Sequence, residues 1–150
     1  MSERVNLGKA LPELYKTVAQ LDKLAAEAAR VAGVSERLSH LIRLRASQIN
    51  GCAFCTRMHT RDAIAVGESV DRISVLPAWR ETSYFDVKEQ AALDLVEAIT
   101  RVADGHVPDD VYERAASRLS RDEIAAIEWL SIVINAWNRI AIASRYPVGE

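Results

Sequence analysis

Glycine and proline are scarce, six and four in 150 residues, and alternating runs of β-branched residues are few, so the chain has little material for hairpins. Only two cysteines occur. A domain of this length buries roughly two-thirds of the surface its unfolded chain exposes, which removes the need for a disulfide or metal staple and leaves both thiols free for other work. A surplus of one charge sign is missing as well: 19 basic and 21 acidic residues are interspersed, for a formal net charge of -2. The lack of a basic stripe to neutralise phosphates argues against nucleic acid as a partner. The residues after Met1 carry neither the apolar stretch nor the small-residue cleavage site of a secretory leader, so the expected compartment is a reducing cytosol. There, Cys52 and Cys55 point to redox or metal chemistry rather than to cross-linking. No low-complexity segment, linker or internal repeat interrupts the sequence, and one domain over residues 1–150 is expected.

What is present is apolar periodicity at helical spacing through most of the chain, which predicts an all-α fold, a single-domain helical bundle. A first helix is carried by Leu14, Val18, Leu21, Ala25 and Ala28 and closes near Gly33, a residue that tolerates a left-handed backbone. Ser35 caps a second, with Leu38, Leu41, Ile42, Arg45 and Ile49 on one side, and the turn-favouring pair Asn50-Gly51 stops it. Cys52 opens a third that runs to about Gly67, and the stretch from Glu68 to Tyr84 reads as short helices and turns. Asp86 and Glu89 form a capping box for a helix whose buried stripe is Ala92, Leu95, Val96, Ile99, Val102 and Ala103. Ser120 and Glu123 repeat the device ahead of a helix that is apolar nearly all round. Its run from Ile124 to Ala143 has the length of a bilayer span, but Glu128, Asn135, Asn138 and Arg139 in mid-segment would be costly in lipid. Such a helix is instead central to the domain and partly covered by another subunit, which predicts a homo-oligomer and no membrane association.

Cys52, Cys55 and His59 form a C-x-x-C-x-x-x-H arrangement at a helix start, spaced to share one face. The free amides and positive dipole end of the helix favour a thiolate at Cys52. Cys55 lies a turn further in, where burial opposes ionisation, and His59 is placed to act as its base. If the two flanking helices form a hairpin about Asn50-Gly51, His40 sits opposite His59, and two neighbouring imidazoles seldom both carry a proton. Blander readings exist for the same residues. The thiols can be small buried hydrophobes beside a core histidine, or Cys52, Cys55, His59 and His40 can form a tetrahedral zinc set. Trp79, Trp129, Trp137 and Phe54 read as core or interface residues rather than substrate platforms, and His106 as a loop residue. Arg43, Arg45, Arg57 and Arg61 read mostly as solvated helix surface, with Arg57 or Arg61 raising the potential near the thiols.

The run from Leu41 to Ala63, with Gly67-Glu68, Ala78-Trp79-Arg80-Glu81 and Asn135-Ala136-Trp137-Asn138-Arg139, resembles the AhpD-like alkylhydroperoxidases of the carboxymuconolactone decarboxylase family over about residues 36 to 146. The resemblance implies an all-helical fold assembled as trimers or hexamers. It implies a cofactor-free peroxidase in which the cysteine pair reduces a hydroperoxide and is re-reduced by a lipoyl-bearing or thioredoxin-like dithiol protein. On this sequence it makes Cys52 the more accessible, resolving thiol, Cys55 the attacking thiol and His59 the proton-relay histidine. Helix polarity favours Cys52 as the attacker instead, and the residues alone leave that choice open. One position departs from the family pattern: His40 stands where a glutamate is usual. Either His40 serves as a neutral acceptor or Glu36, one turn earlier, takes the part of the acid. Alternatives are acid–base decarboxylation of a small lactone-like substrate, as elsewhere in the family, and a non-enzymatic redox-sensing or zinc-binding oligomer.

Overall fold

A computed structural model describes residues 2–149, and the described residues contain helices and no strand. In chain order the α-helices are α1 (Leu7–Ala10), α2 (Pro12–Ala32), α3 (Glu36–Asn50), α4 (Ala53–Ala65), α5 (Val70–Val75), α6 (Val87–Thr100), α7 (Asp109–Arg118) and α8 (Arg121–Ser144). A 3-10 helix, Leu76–Glu81, follows α5 directly. Helix starts are written into the sequence. Ser35 accepts the amide hydrogen of Leu38 at 3.1 Å, and Asp86 and Ser120 each form a capping box with the glutamate three residues on.

Helix α8 is the hub, packed against α2, α3 and α6, while α3 and α4 lie side by side as a hairpin. The core where these helices meet is formed by Leu41, Ile42 and Leu44 of α3, Leu93, Leu95 and Val96 of α6, and Ile127, Leu130, Val133 and Ile134 of α8. Each such side chain stabilises the fold by about 1.5–3 kcal/mol through burial. On the outer side of α8, Trp129, Ile132 and Ile142 stay about half exposed, at 49, 47 and 48%. No helix of the described residues is long and apolar enough to cross a membrane.

Several expectations need correction. Leu14 and Ala28 face solvent on α2, whose buried positions are Ala25 and Ala29. Helix α6 stops at Thr100, so Val102 and Ala103 lie in an exposed turn rather than on its buried stripe. Arg43 and Arg45 are not solvated surface but buried. Arg45 donates to Glu97 of α6 at 2.7 Å, and Trp79 and Arg80 of the 3-10 helix donate to the same carboxylate at 3.0 and 2.7 Å. A buried charge is tolerated only with such partners, and this cluster ties α3, α6 and the 3-10 helix together. Arg43 is paired with Asp22 of α2 at 3.0 Å.

Candidate active site

Gly51 adopts a left-handed backbone, φ 67°, and so lets α3 end and the chain turn back into α4. Cys52 follows as the N-cap of α4 rather than a residue of its first turn, and its sulfur accepts the amide hydrogen of Cys55 at 3.3 Å. Both cysteines are free thiols and both are 2% exposed. The expectation that Cys52 is the more accessible of the two therefore fails: as N-cap its side chain folds back over the helix end and under its neighbours.

The Cys55 thiol is pushed up to about 12, first by burial and then by its hydrogen bond with Cys52, while the Asn138 carboxamide pulls it partly back. Asn138 is itself fully buried on α8. It donates to Ser47 at 3.0 Å and accepts from Asn50 at 2.8 Å, and Asn50 also donates to Asn135 at 2.9 Å. This amide ladder fastens the α3–α4 turn to α8 and sets Asn138 beside Cys55. In the sequence Asn50 marks a turn, and Asn135 and Asn138 speak against a membrane span and belong to the family motif; nothing there joins them.

Cys55 and His59 line a cavity of about 360 Å³ whose other walls include Tyr15, Phe54, Met58, Trp137 and Tyr146. Phe54 and Trp137, expected as core or interface residues, thus form part of the wall around the thiol. The Tyr146 phenol is also pushed up to about 12, by burial first and then by its hydrogen bond with Tyr15. The cavity is thus largely apolar, with Asp22, the partner of Arg43, as the acid on its wall.

His40 and His59 do face each other across the hairpin, with ring centroids 5.9 Å apart. Both imidazoles are held low, His59 to about 3, chiefly by burial and then by the Arg43 charge. His59 is neutral at ordinary pH, and its 3.6 Å approach to Asp62 is not an ion pair. No hydrogen bond joins the two rings, and Nδ1 of each is buried without a partner. The acid beside His59 is thus Asp62, on the same helix, and not Glu36, which lies exposed at the start of α3. The i, i+3 spacing of His59 and Asp62 was the available signal. Among the described residues, the side chains whose ligand atoms converge are His40, His59 and Asp62, all within 4.8 Å of one another, and not the set of two sulfurs and two nitrogens. Arg57 and Arg61 point to solvent, so the positive charge felt by the histidines comes from Arg43. Trp79 is buried core, Trp129 is half exposed on α8, and His106 occupies a loop with a left-handed backbone, φ 59°.

The carboxymuconolactone decarboxylase family model matches residues 12–98, a segment that contains α2, the whole hairpin and both cysteines. The chain belongs to the carboxymuconolactone decarboxylase family. Within reach of this family member stands the uncharacterized protein YdfG of Bacillus subtilis, 37% identical over 143 residues and covering 95% of each chain. A solved structure of a protein of unknown function from Agrobacterium tumefaciens, provisionally designated antioxidant defence protein AhpD, is 39% identical with a TM-score of 0.88, over 99% of this chain and 100% of that one. The debrominase Bmp8 shares the fold at 17% identity and a TM-score of 0.81, over 95% of this chain and 74% of its own. The all-helical, AhpD-like fold is therefore established for this family member. Chemically, its site offers two thiols in mutual contact, a neutral imidazole one turn away and an apolar space in front of them.

Proposed function

We propose that the chain is a thiol-dependent hydroperoxide reductase. The observation that carries this reading is the Cys52–Cys55 pair at the start of α4, joined by the hydrogen bond from the Cys55 amide to the Cys52 sulfur, with Cys55 opening into a largely apolar cavity that His59 also lines. His59 passes on the proton of Cys55, and the resulting thiolate attacks the outer oxygen of a hydroperoxide. The O–O bond breaks, the alcohol leaves with the proton, and Cys55 becomes a sulfenic acid. The Cys52 thiol then condenses with it, forming a disulfide and releasing water. An external dithiol of the lipoyl or thioredoxin kind restores both thiols by exchange and is itself oxidised. Cys55 is the attacking thiol because it is the one that faces the cavity, and the aromatic lining suits an organic hydroperoxide. His40 packs against His59 without a hydrogen bond, so its part is to hold the ring rather than to take its proton. The half-exposed apolar face of α8 supports assembly as a homo-oligomer, to which the family resemblance adds a trimer or hexamer, and the proposed compartment is a reducing cytosol.

The test is titration of thiols with and without an organic hydroperoxide, followed by steady-state turnover with a dithiol reductant. Two thiols per chain disappear with about one equivalent of peroxide, and turnover follows the reductant. Survival of both thiols in excess peroxide at neutral pH overturns the reading. A second measurement follows from the upward displacement of Cys55. Its thiolate fraction grows about tenfold per pH unit below that value, so alkylation of Cys55 by iodoacetamide, followed by mass spectrometry, is slow at pH 7 and still rising at pH 10. A plateau near neutral pH shows that burial does not control the thiol.

A further inference from the structure

The hydroperoxide reading leaves two buried imidazole nitrogens without a purpose. Nδ1 of His40 and Nδ1 of His59 are both shielded from solvent and lack a hydrogen-bond partner. Leaving buried polar atoms unpaired costs about 1–3 kcal/mol each. Nδ1 of His59 lies 3.6 Å from Oδ2 of Asp62, and one ligand atom from each of His40, His59 and Asp62 falls within 4.8 Å of the others. Ligands held about 2.0–2.1 Å from a tetrahedral zinc ion are roughly 3.4 Å apart, so small side-chain rotations complete the approach. His59 is fixed, with its side chain 8% exposed, whereas Asp62 is 45% exposed and free to turn inward. Arg43 is the largest charge felt by His40, opposed there by the carboxylates of Asp62, Glu36 and Asp22, and Asp22 already pairs it.

We propose that His40, His59 and Asp62 form a binding site for a divalent transition metal of the zinc type, separate from the two thiols. Imidazole with carboxylate is the donor set of zinc and its neighbours, and three protein ligands leave a position for water. The half-exposed Asp62 is the side of the site open to solvent. Binding at Nδ1 of His59 fixes that ring's proton on Nε2, so the imidazole donates but no longer accepts. The metal therefore gates the thiol chemistry: the loaded chain consumes peroxide slowly. Only that last consequence rests on the hydroperoxide reading.

The experiment is a titration of the chelator-treated full chain with Zn²⁺ by calorimetry and with Co²⁺ by visible absorption. One equivalent binds per chain, and Co²⁺ gives ligand-field bands without a sulfur charge-transfer band. Asp62→Asn and His40→Gln each weaken binding by at least about tenfold, while Cys52→Ser and Cys55→Ser leave affinity and spectrum unchanged. Circular dichroism checks that each variant remains helical. Zn²⁺ inhibition of peroxide-dependent thiol loss is relieved in Asp62→Asn. Absence of stoichiometric binding to the wild-type chain overturns the proposal, as does binding that disappears with the cysteines. Neither result touches the peroxidase reading, which is judged on metal-free protein.

Discussion

Replacing Cys55 by serine is expected to lower peroxide consumption by at least about a thousandfold, the scale on which removal of an attacking nucleophile is felt. Cys52→Ser behaves differently. With the attacking thiol intact and the resolving thiol gone, each chain reduces one equivalent of hydroperoxide and stops, holding a sulfenic acid that dimedone traps. Mass spectrometry of both variants after one equivalent of peroxide places the added oxygen on Cys55 of Cys52→Ser and on neither sulfur position of Cys55→Ser. The reverse pattern would reassign the attack to Cys52, as helix polarity suggests. The geometry favours Cys55 because Cys52 turns its sulfur toward the helix end, where it accepts a backbone hydrogen bond from Cys55 at 3.3 Å.

Glu97→Ala carries the largest expected loss of stability. The side chain is 6% exposed, and it compensates Arg45, whose side chain is 9% exposed, while also accepting from Trp79 and Arg80. Removing one partner of a buried pair leaves the other charge stranded, at about 3–5 kcal/mol. That is a large part of the 5–15 kcal/mol typical of a whole domain, on the order-of-magnitude scale. The denaturant midpoint falls accordingly, and a loss under about 1 kcal/mol would contradict the role assigned to the cluster. Burial alone would raise the Glu97 carboxyl, but hydrogen bonds from Arg80, Arg45 and Trp79 outweigh it and hold the group below its ordinary value of 4.5. A carboxyl depressed on folding stabilises fully above its unfolded value and loses that contribution as pH falls through the folded one. Wild-type stability therefore drops as pH is lowered below about 4.5, and Glu97→Gln removes this part of the acid sensitivity.

The hairpin was legible because its signals are local. Asn50-Gly51, the C-x-x-C-x-x-x-H spacing and the equal distances of His40 and His59 from the turn are all read along one stretch of chain. Depth was not legible. Arg43 and Arg45 are of a residue type that ordinarily stays at the surface, and only partners 21 and 52 positions away make them buried. Helix α7 escaped notice because it buries only Val111 and Ala115 and has Pro108 at its N-cap without a side-chain cap. The overextension of α6 has the opposite cause: Val102 and Ala103 keep the apolar rhythm after the backbone has left the helix. Asp62 was hidden by its ordinariness, one acid among 21 Asp and Glu residues, until the fold placed it beside two histidines.

The α3–α4 turn also bears on the order of folding. His40, Cys52, Cys55 and His59 fall in one short segment, so two adjoining helices bring them together through contacts of low sequence separation, the kind that form earliest. The burial that suppresses Cys55 is completed separately, by α8, whose Asn138 meets Asn50 across a separation of 88 residues. A folding chain is consequently expected to bring its cysteine pair together before it shields it. Docking of α8 is the step that converts an ordinary, readily oxidised dithiol into a guarded one.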